Sequence, residues 1–164
     1  MAKDLKTLPE RYSTAWAEED PKALLNLVSD DCLFTDHGAQ IRVPRPFIEG
    51  HHRNWRGAHK DFEVYVDPAF PVYWIDVDEA KGNAKCSFRT VNKGVFVNDL
   101  PRRKATGMPF QYSGVVDLEV QNGLVTKADE WLRVPFEDSV SVEEYIVISD
   151  ETRKKIMAER DAGK

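Results

Sequence analysis

Apolar residues recur at helical spacing through the first third of the chain and alternate with polar ones through most of the rest. Leu8, Tyr12, Ala15 and Trp16 fall on one helical face. Thr7-Leu8-Pro9-Glu10 ahead of them has capping-box spacing, with Thr7 and Glu10 placed to satisfy each other's backbone amides. Asp20-Pro21 reads as an N-cap and first helical residue, opening a short second helix that carries Leu24, Leu25 and Val28. A first strand is predicted over 31–37, in DCLFTDHG. A third helix is predicted over 46–56, with Phe47, His51 and Trp55 on one face and Gly57 to end it. Gly50 inside that helix costs about 1 kcal/mol.

From residue 61 the period changes to two. DFEVYVD alternates, with Phe62, Val64 and Val66 on one side. VYWIDV and AKCSFRTV form two runs joined by a turn at DEAKGN, and NKGVFVNDLPRRK reads as a long loop. The clearest element is a closing hairpin, GMPFQYSGVVDLEV and LVTKADEWLRV around QNG. Helices first and antiparallel strands later is the α+β pattern, with the helices covering the apolar face of a sheet. This assigns 1–140 to one α+β domain. Residues 141–164 form a charged helical tail, with capping-box spacing at Ser141 and Glu144. Only Ile156 and Met157 are placed to pin that tail, so it is expected to fray.

Composition narrows the partners. The 164 residues are 41% hydrophobic and 31% charged, enough for one core without metal or disulfide staples. A formal net charge of -5 argues against a nucleic-acid or anionic-membrane surface, both of which need clustered Lys and Arg. The one compact basic run, PRRK at 101–104, reads as a solvated loop. Cys32 and Cys86 sit in apolar runs without CxxC spacing, as reduced core thiols do. The opening MAKDLKTLPERY has no apolar stretch of the signal-peptide kind, and no segment approaches a membrane span, so the expectation is a soluble cytoplasmic protein.

The hairpin loop decides which side chains meet. A two-residue Asn122-Gly123 loop sets Leu118 opposite Lys127 and Val116 opposite Asp129. A three-residue Gln121-Asn122-Gly123 loop instead sets Val116 opposite Ala128 and Asp117 opposite Lys127. Apolar then meets apolar and acid meets base, so the three-residue loop is preferred. That register places Glu130 on the apolar face, opposite Gly114, with Tyr112 and Leu132 beside it. A core-facing carboxylate is costly unless bonded. It marks either a site or a structural ion pair with Arg89 or a helix residue.

A second candidate group lies at the end of the first strand. Asp36 and His37 are adjacent and followed by Gly38, and strand alternation sends them to opposite faces, so one of them points inward. His37 is the better proton shuttle near neutrality, and Asp36 needs burial to raise its pKa. The bland alternatives are a turn-capping Asp36 and a surface His37. His51, His52 and His59 have no known metal-ligand spacing, so no metal is expected there, and His51 is placed beside Trp55 in a pocket. No Gly-rich phosphate loop and no G-x-S-x-G elbow is present.

The two short helices, DCLFTDHG, AHKDFEV, ATGMPFQYSGVVDLEV and NGLVTKADEW, in that order, resemble the SnoaL-like proteins of the nuclear transport factor 2-like superfamily over residues about 8–134. The resemblance implies a curved antiparallel sheet wrapped around the N-terminal helices as a cone, with an apolar pocket at its wide end. It implies a homodimer across the outer sheet face, where Val115, Val125 and Trp131 are expected. It implies chemistry without metal or organic cofactor, by carboxylates, histidines and tyrosines on the first strand and last hairpin. The positions that match are Asp36 or His37 and Tyr112 or Glu130, with Phe34, His51, Trp55, Phe110 and Leu132 as substrate-contacting walls. Two readings follow. One is a cofactor-free isomerase, cyclase or dehydratase acting on an apolar polyketide, terpenoid or alkaloid intermediate. The other is a non-catalytic small-molecule-binding or dimerisation module of the same fold.

Overall fold

The structure, a computed structural model, describes residues 4–132 and 146–162. After a 3₁₀ turn at Leu5–Thr7 come α1 (Leu8–Ala17), α2 (Lys22–Leu25), β1 (Val28–Asp36), β2 (Ile41–Pro44) and α3 (Arg45–Ala58). Then follow β3 (His59–Val66), β4 (Tyr73–Asp78), β5 (Asn83–Phe96), β6 (Pro109–Gln121), β7 (Leu124–Leu132), β8 (Ile146–Val147) and α4 (Asp150–Ala162). All eight strands join one curved sheet in the order β3-β5-β6-β7-β1-β2-β8, with β4 also paired to β5. The sheet is mixed rather than antiparallel as expected, because β1 runs parallel to β7 and β8 parallel to β2. No described helix is long and apolar enough to cross a membrane.

The helices cover the inner face as the apolar pattern requires. Leu8, Tyr12, Ala15 and Trp16 of α1 are all buried. The Thr7–Glu10 capping box is not made: Thr7 has no side-chain cap bond, and its hydroxyl donates back to the Asp4 carbonyl at 3.3 Å. The preceding turn takes that place, with Asp4 accepting from the Lys6 amide at 3.0 Å. Asp20 stands one residue ahead of the α2 N-cap, which is Pro21, and accepts from the Lys22 amide at 2.9 Å. On α3 the most buried side chains are Ile48 and His52, while Phe47, His51 and Trp55 are only partly buried. His52 is fully buried because it has backbone work to do: its Nε2–H donates to the Ala15 carbonyl at 3.0 Å, and Arg56 Nε donates to the Ala17 carbonyl at 2.8 Å. Two of the carbonyls that end α1 are thus satisfied by α3.

Two elements differ from the sequence reading. The run NKGVF is the second half of β5, not loop, because β3 pairs with it from His59↔Phe96 to Val66↔Thr90. The closing hairpin turns through Asn122-Gly123 alone, both at positive φ (51° and 73°), so Gln121 meets Leu124. A bulge at Thr126 then adds a residue to β7, and from Glu119↔Lys127 onward the register differs from both loop alternatives. Asp117 faces Asp129, not Lys127, and Glu130 faces Val116, not Gly114. The bulge restores the parity that the three-residue loop required, so Glu130 still points inward. Leu132 occupies the space beside Gly114, where an added Cβ would lie 2.6 Å from Leu132 Cδ2.

The described residues of the tail form a short strand and a helix. β8 pairs with β2, Ser149 Oγ caps α4 by accepting from the Thr152 amide at 3.1 Å, and Ile156 is buried. The proposed capping box at Ser141 and Glu144, and the domain boundary at 140/141, lie outside the described residues.

Candidate active site

Asp36 and Glu130 are direct register partners across the parallel β1–β7 pair. Both side chains point into the cone, and both residues are buried. Neighbouring strands lie about 4.8 Å apart, so the two carboxyl groups are side by side. They face a cavity of about 20 Å³ whose walls include Tyr12, Trp16, Phe34 and Leu132. That volume holds about one water molecule.

The turn after β1 fixes Asp36. Its Oδ1 accepts from the Ala39 amide at 2.8 Å, and the Gly38 amide also stabilises the carboxylate. Gly38 is required by close approach, because a Cβ there would sit 2.8 Å from the Leu132 carbonyl oxygen. Asp36 therefore both caps the turn and lines the cavity; the two alternatives were not exclusive.

Glu130 is held by α1. The Tyr12 hydroxyl bonds Glu130 Oε1 at 3.0 Å. The Trp16 indole N–H lies near the same carboxylate without closing a bond of ordinary geometry. Burial first, and then the charge of Asp36, push Glu130 up from 4.5 to about 8, against the lowering effect of Tyr12 and Trp16. Burial also raises Asp36, opposed by the Ala39 and Gly38 amides and then by the charges of Arg103 and His37. The two carboxyls repel each other's charge, and the backbone amides on Asp36 favour its charged form, so Glu130 is the member of the pair that holds its proton at neutral pH. The Tyr12 phenol is raised by burial and then by the Glu130 charge, so it stays a hydroxyl.

Tyr112 stacks on Phe110, with ring centroids 5.3 Å apart, on the same face as Glu130. Its buried hydroxyl has no hydrogen-bond partner among the described residues, and burial followed by the charges of Asp36 and Glu130 raises its pKa. Phe110 and Tyr112 stand beside the cavity rather than in its wall; Phe34, His51, Trp55 and Leu132 are in the wall. His51 packs against Phe34 and Trp16, with centroids 5.4 and 5.9 Å away. Burial and the neighbouring His52 lower its pKa to about 4, so it faces the cavity as neutral imidazole.

His37 lies elsewhere. Its ring is on the outer face of the sheet, stacked on Trp131 at 4.1 Å and 7°, with Nε2 at 3.0 Å from Asp129 Oδ1. The structure thus puts Asp36 in the cavity and His37 outside it. His59 is also taken up structurally, donating from Nδ1 to the Trp55 carbonyl at 2.7 Å. Among the described residues no three His, Cys, Asp or Glu side chains converge on a metal position. Arg103, from the loop read as solvated, is partly buried and acts electrostatically on Asp36 and Tyr112.

Sequence reasoning missed Tyr12, Trp16, Thr90 and Asn92 as site residues. Thr90 and Asn92 line the cavity from β5, and Asn92 donates to Thr90 Oγ1 at 3.1 Å. Tyr12 carried a usable signal: a phenol in the middle of a buried helical face needs a partner.

No family model matches the chain, and no curated protein matches it in sequence. Solved structures do. A protein with a ketosteroid isomerase-like fold from Catenulispora acidiphila, solved in complex with trimethylamine, is 17% identical, with 79% of this chain and 85% of that one covered at a TM-score of 0.59. PrhC from Penicillium brasilianum is 17% identical over 99% of this chain and 90% of its own, with a TM-score of 0.60. BvnE pinacolase from Penicillium brevicompactum is 14% identical over 100% of this chain and 97% of its own, with a TM-score of 0.56. The paired carboxylates therefore sit in a known architecture: the chain shares the ketosteroid isomerase-like α+β fold of these solved structures.

Proposed function

We propose that the protein is a cofactor-independent isomerase- or cyclase-type enzyme that moves a proton within an apolar small molecule held in the cone. The observation that carries this reading is the Asp36–Glu130 pair: two adjacent buried carboxyls facing one cavity, with Glu130 pushed up to about 8. Asp36 is the base and Glu130 the acid. Groups whose environments push their proton affinities apart are suited to those two roles. Tyr12 orients Glu130, and the Tyr112 hydroxyl is a hydrogen-bond donor beside the pair. The aromatic wall of Trp16, Phe34 and His51 keeps water from the reacting atoms. Apolar polyketide and terpenoid intermediates suit this aromatic lining, and the likeness to a solved structure described as a polyketide cyclase supports that class without selecting a substrate.

The small cavity gives a second reading some weight. At about 20 Å³ it admits one small group of a ligand, and a binding module of the same fold would need no more. The outer face is assigned to a homodimer in both readings, through Val115 and Trp131, which are register partners and 36% and 44% exposed. Val125 cannot take part, because it is fully buried.

The test is turnover of a panel of polyketide and terpenoid intermediates, with deuterium uptake from solvent read by mass spectrometry. Asp36→Asn and Glu130→Gln should each lower the rate by about a hundredfold or more. Wild-type rates in both variants would remove the pair from catalysis. Binding of a panel compound without any exchange or turnover would favour the binding module.

A further inference from the structure

The sequence neighbours of the cavity pair, His37 and Asp129, meet on the opposite side of the sheet. Their contact is closely held. His37 Nε2 is 3.0 Å from Asp129 Oδ1, the ring lies on Trp131 at 7°, and Lys127 Nζ holds Asp129 Oδ2 at 2.7 Å. The His37 amide meanwhile donates to the Glu130 carbonyl at 2.8 Å. One residue thus ties the end of β1 to β7 twice, by its backbone and by its ring, at the position that sets Asp36 beside Glu130.

We infer that His37 is a positioning residue for the cavity pair, acting from the outer face of the sheet. It fixes Asp36 next to Glu130 by tying the end of β1 to β7 through its amide and its ring. The inference rests on the proton-transfer reading above. The His37 charge acts on Asp36 in the lowering direction, alongside Arg103. The surrounding charges are also defined: Asp129 and Lys127 on β7, Asp117 and Glu119 on β6, and Arg42 on β2, which pairs with Thr35.

The experiment follows the Asp36 side-chain carboxyl carbon by NMR in the full-length protein across the pH range. Wild type is compared with His37→Gln, which keeps a polar side chain beside Asp129 but has no charge, and with His37→Phe, which keeps the ring against Trp131. Both variants should raise the Asp36 midpoint, because His37 acts on Asp36 in the lowering direction. Near-ultraviolet circular dichroism and the thermal midpoint report whether each variant is folded. A purely structural His37 would change the thermal midpoint and leave the Asp36 curve in place in His37→Gln, and that result overturns the inference. The proton-transfer reading is judged separately, in wild type: it fails if Asp36 and Glu130 both ionise at ordinary carboxylate pH.

Discussion

Glu130→Gln should make the protein's stability less dependent on pH. In the folded state Glu130 holds its proton to about pH 8; in the unfolded chain it releases it near 4.5. Between those values the folded state binds more protons, so this group's contribution is full below about 4.5 and is lost as pH rises through about 8. The rise from 4.5 to about 8, at about 1.4 kcal/mol per tenfold change in proton affinity, is about 5 kcal/mol in all. About 4 kcal/mol of that falls between pH 5 and pH 9. Glutamine has nearly the shape of the protonated acid, can still bond Tyr12, and does not titrate. Asp36 is raised in the same direction but is present in both proteins, so the difference between them isolates Glu130. Urea unfolding of each across this range gives the two curves. The variant's curve should be flatter, and above pH 8 the variant should be the more stable protein. Parallel curves would refute a buried, proton-holding Glu130.

Tyr12→Phe removes the hydroxyl that lowers Glu130, so the Glu130 midpoint should rise further, while stability at pH 6 falls by about 1 kcal/mol; carboxyl NMR and urea unfolding check the two effects. His52→Ala leaves a void and an unbonded Ala15 carbonyl, and should cost about 2–4 kcal/mol in thermal unfolding. Gly38→Ala sets a methyl against the Leu132 carbonyl and should cost about 1–3 kcal/mol while loosening the end of β1, read by hydrogen exchange at His37. Trp131→Glu puts a charge on the outer face; sedimentation should show a dimer for wild type at micromolar concentration and a monomer for the variant, and a wild-type monomer would remove the dimer assignment.

The inner face of this fold was legible because it obeys simple periods. The face formed by Leu8, Tyr12, Ala15 and Trp16, and the inward direction of Glu130, follow from spacing and strand parity alone. The exact partners did not. The hairpin register was chosen by matching Asp117 with Lys127, but a surface ion pair is worth little. The Asn-Gly turn and the Thr126 bulge decided instead, and a bulge leaves no mark in composition. The helical part of the site was hidden for a different reason. Tyr12 meets Glu130 across 118 positions, a contact set by how α1 lies in the cone and not by local pattern. Asp36 and His37 could not be told apart from sequence because their alternation has two phases. The parallel β1–β7 pairing, which selects one phase, was not anticipated.

The central claim is that Glu130 holds its proton beside Asp36 at neutral pH. Infrared difference spectroscopy between pH 7 and pH 10 observes that state directly, through the carbonyl stretch of a protonated carboxylic acid. The wild-type protein should show the band at pH 7 and lose it by pH 10, and Glu130→Gln should never show it. A wild-type spectrum with no protonated carboxyl at pH 7 would contradict the account.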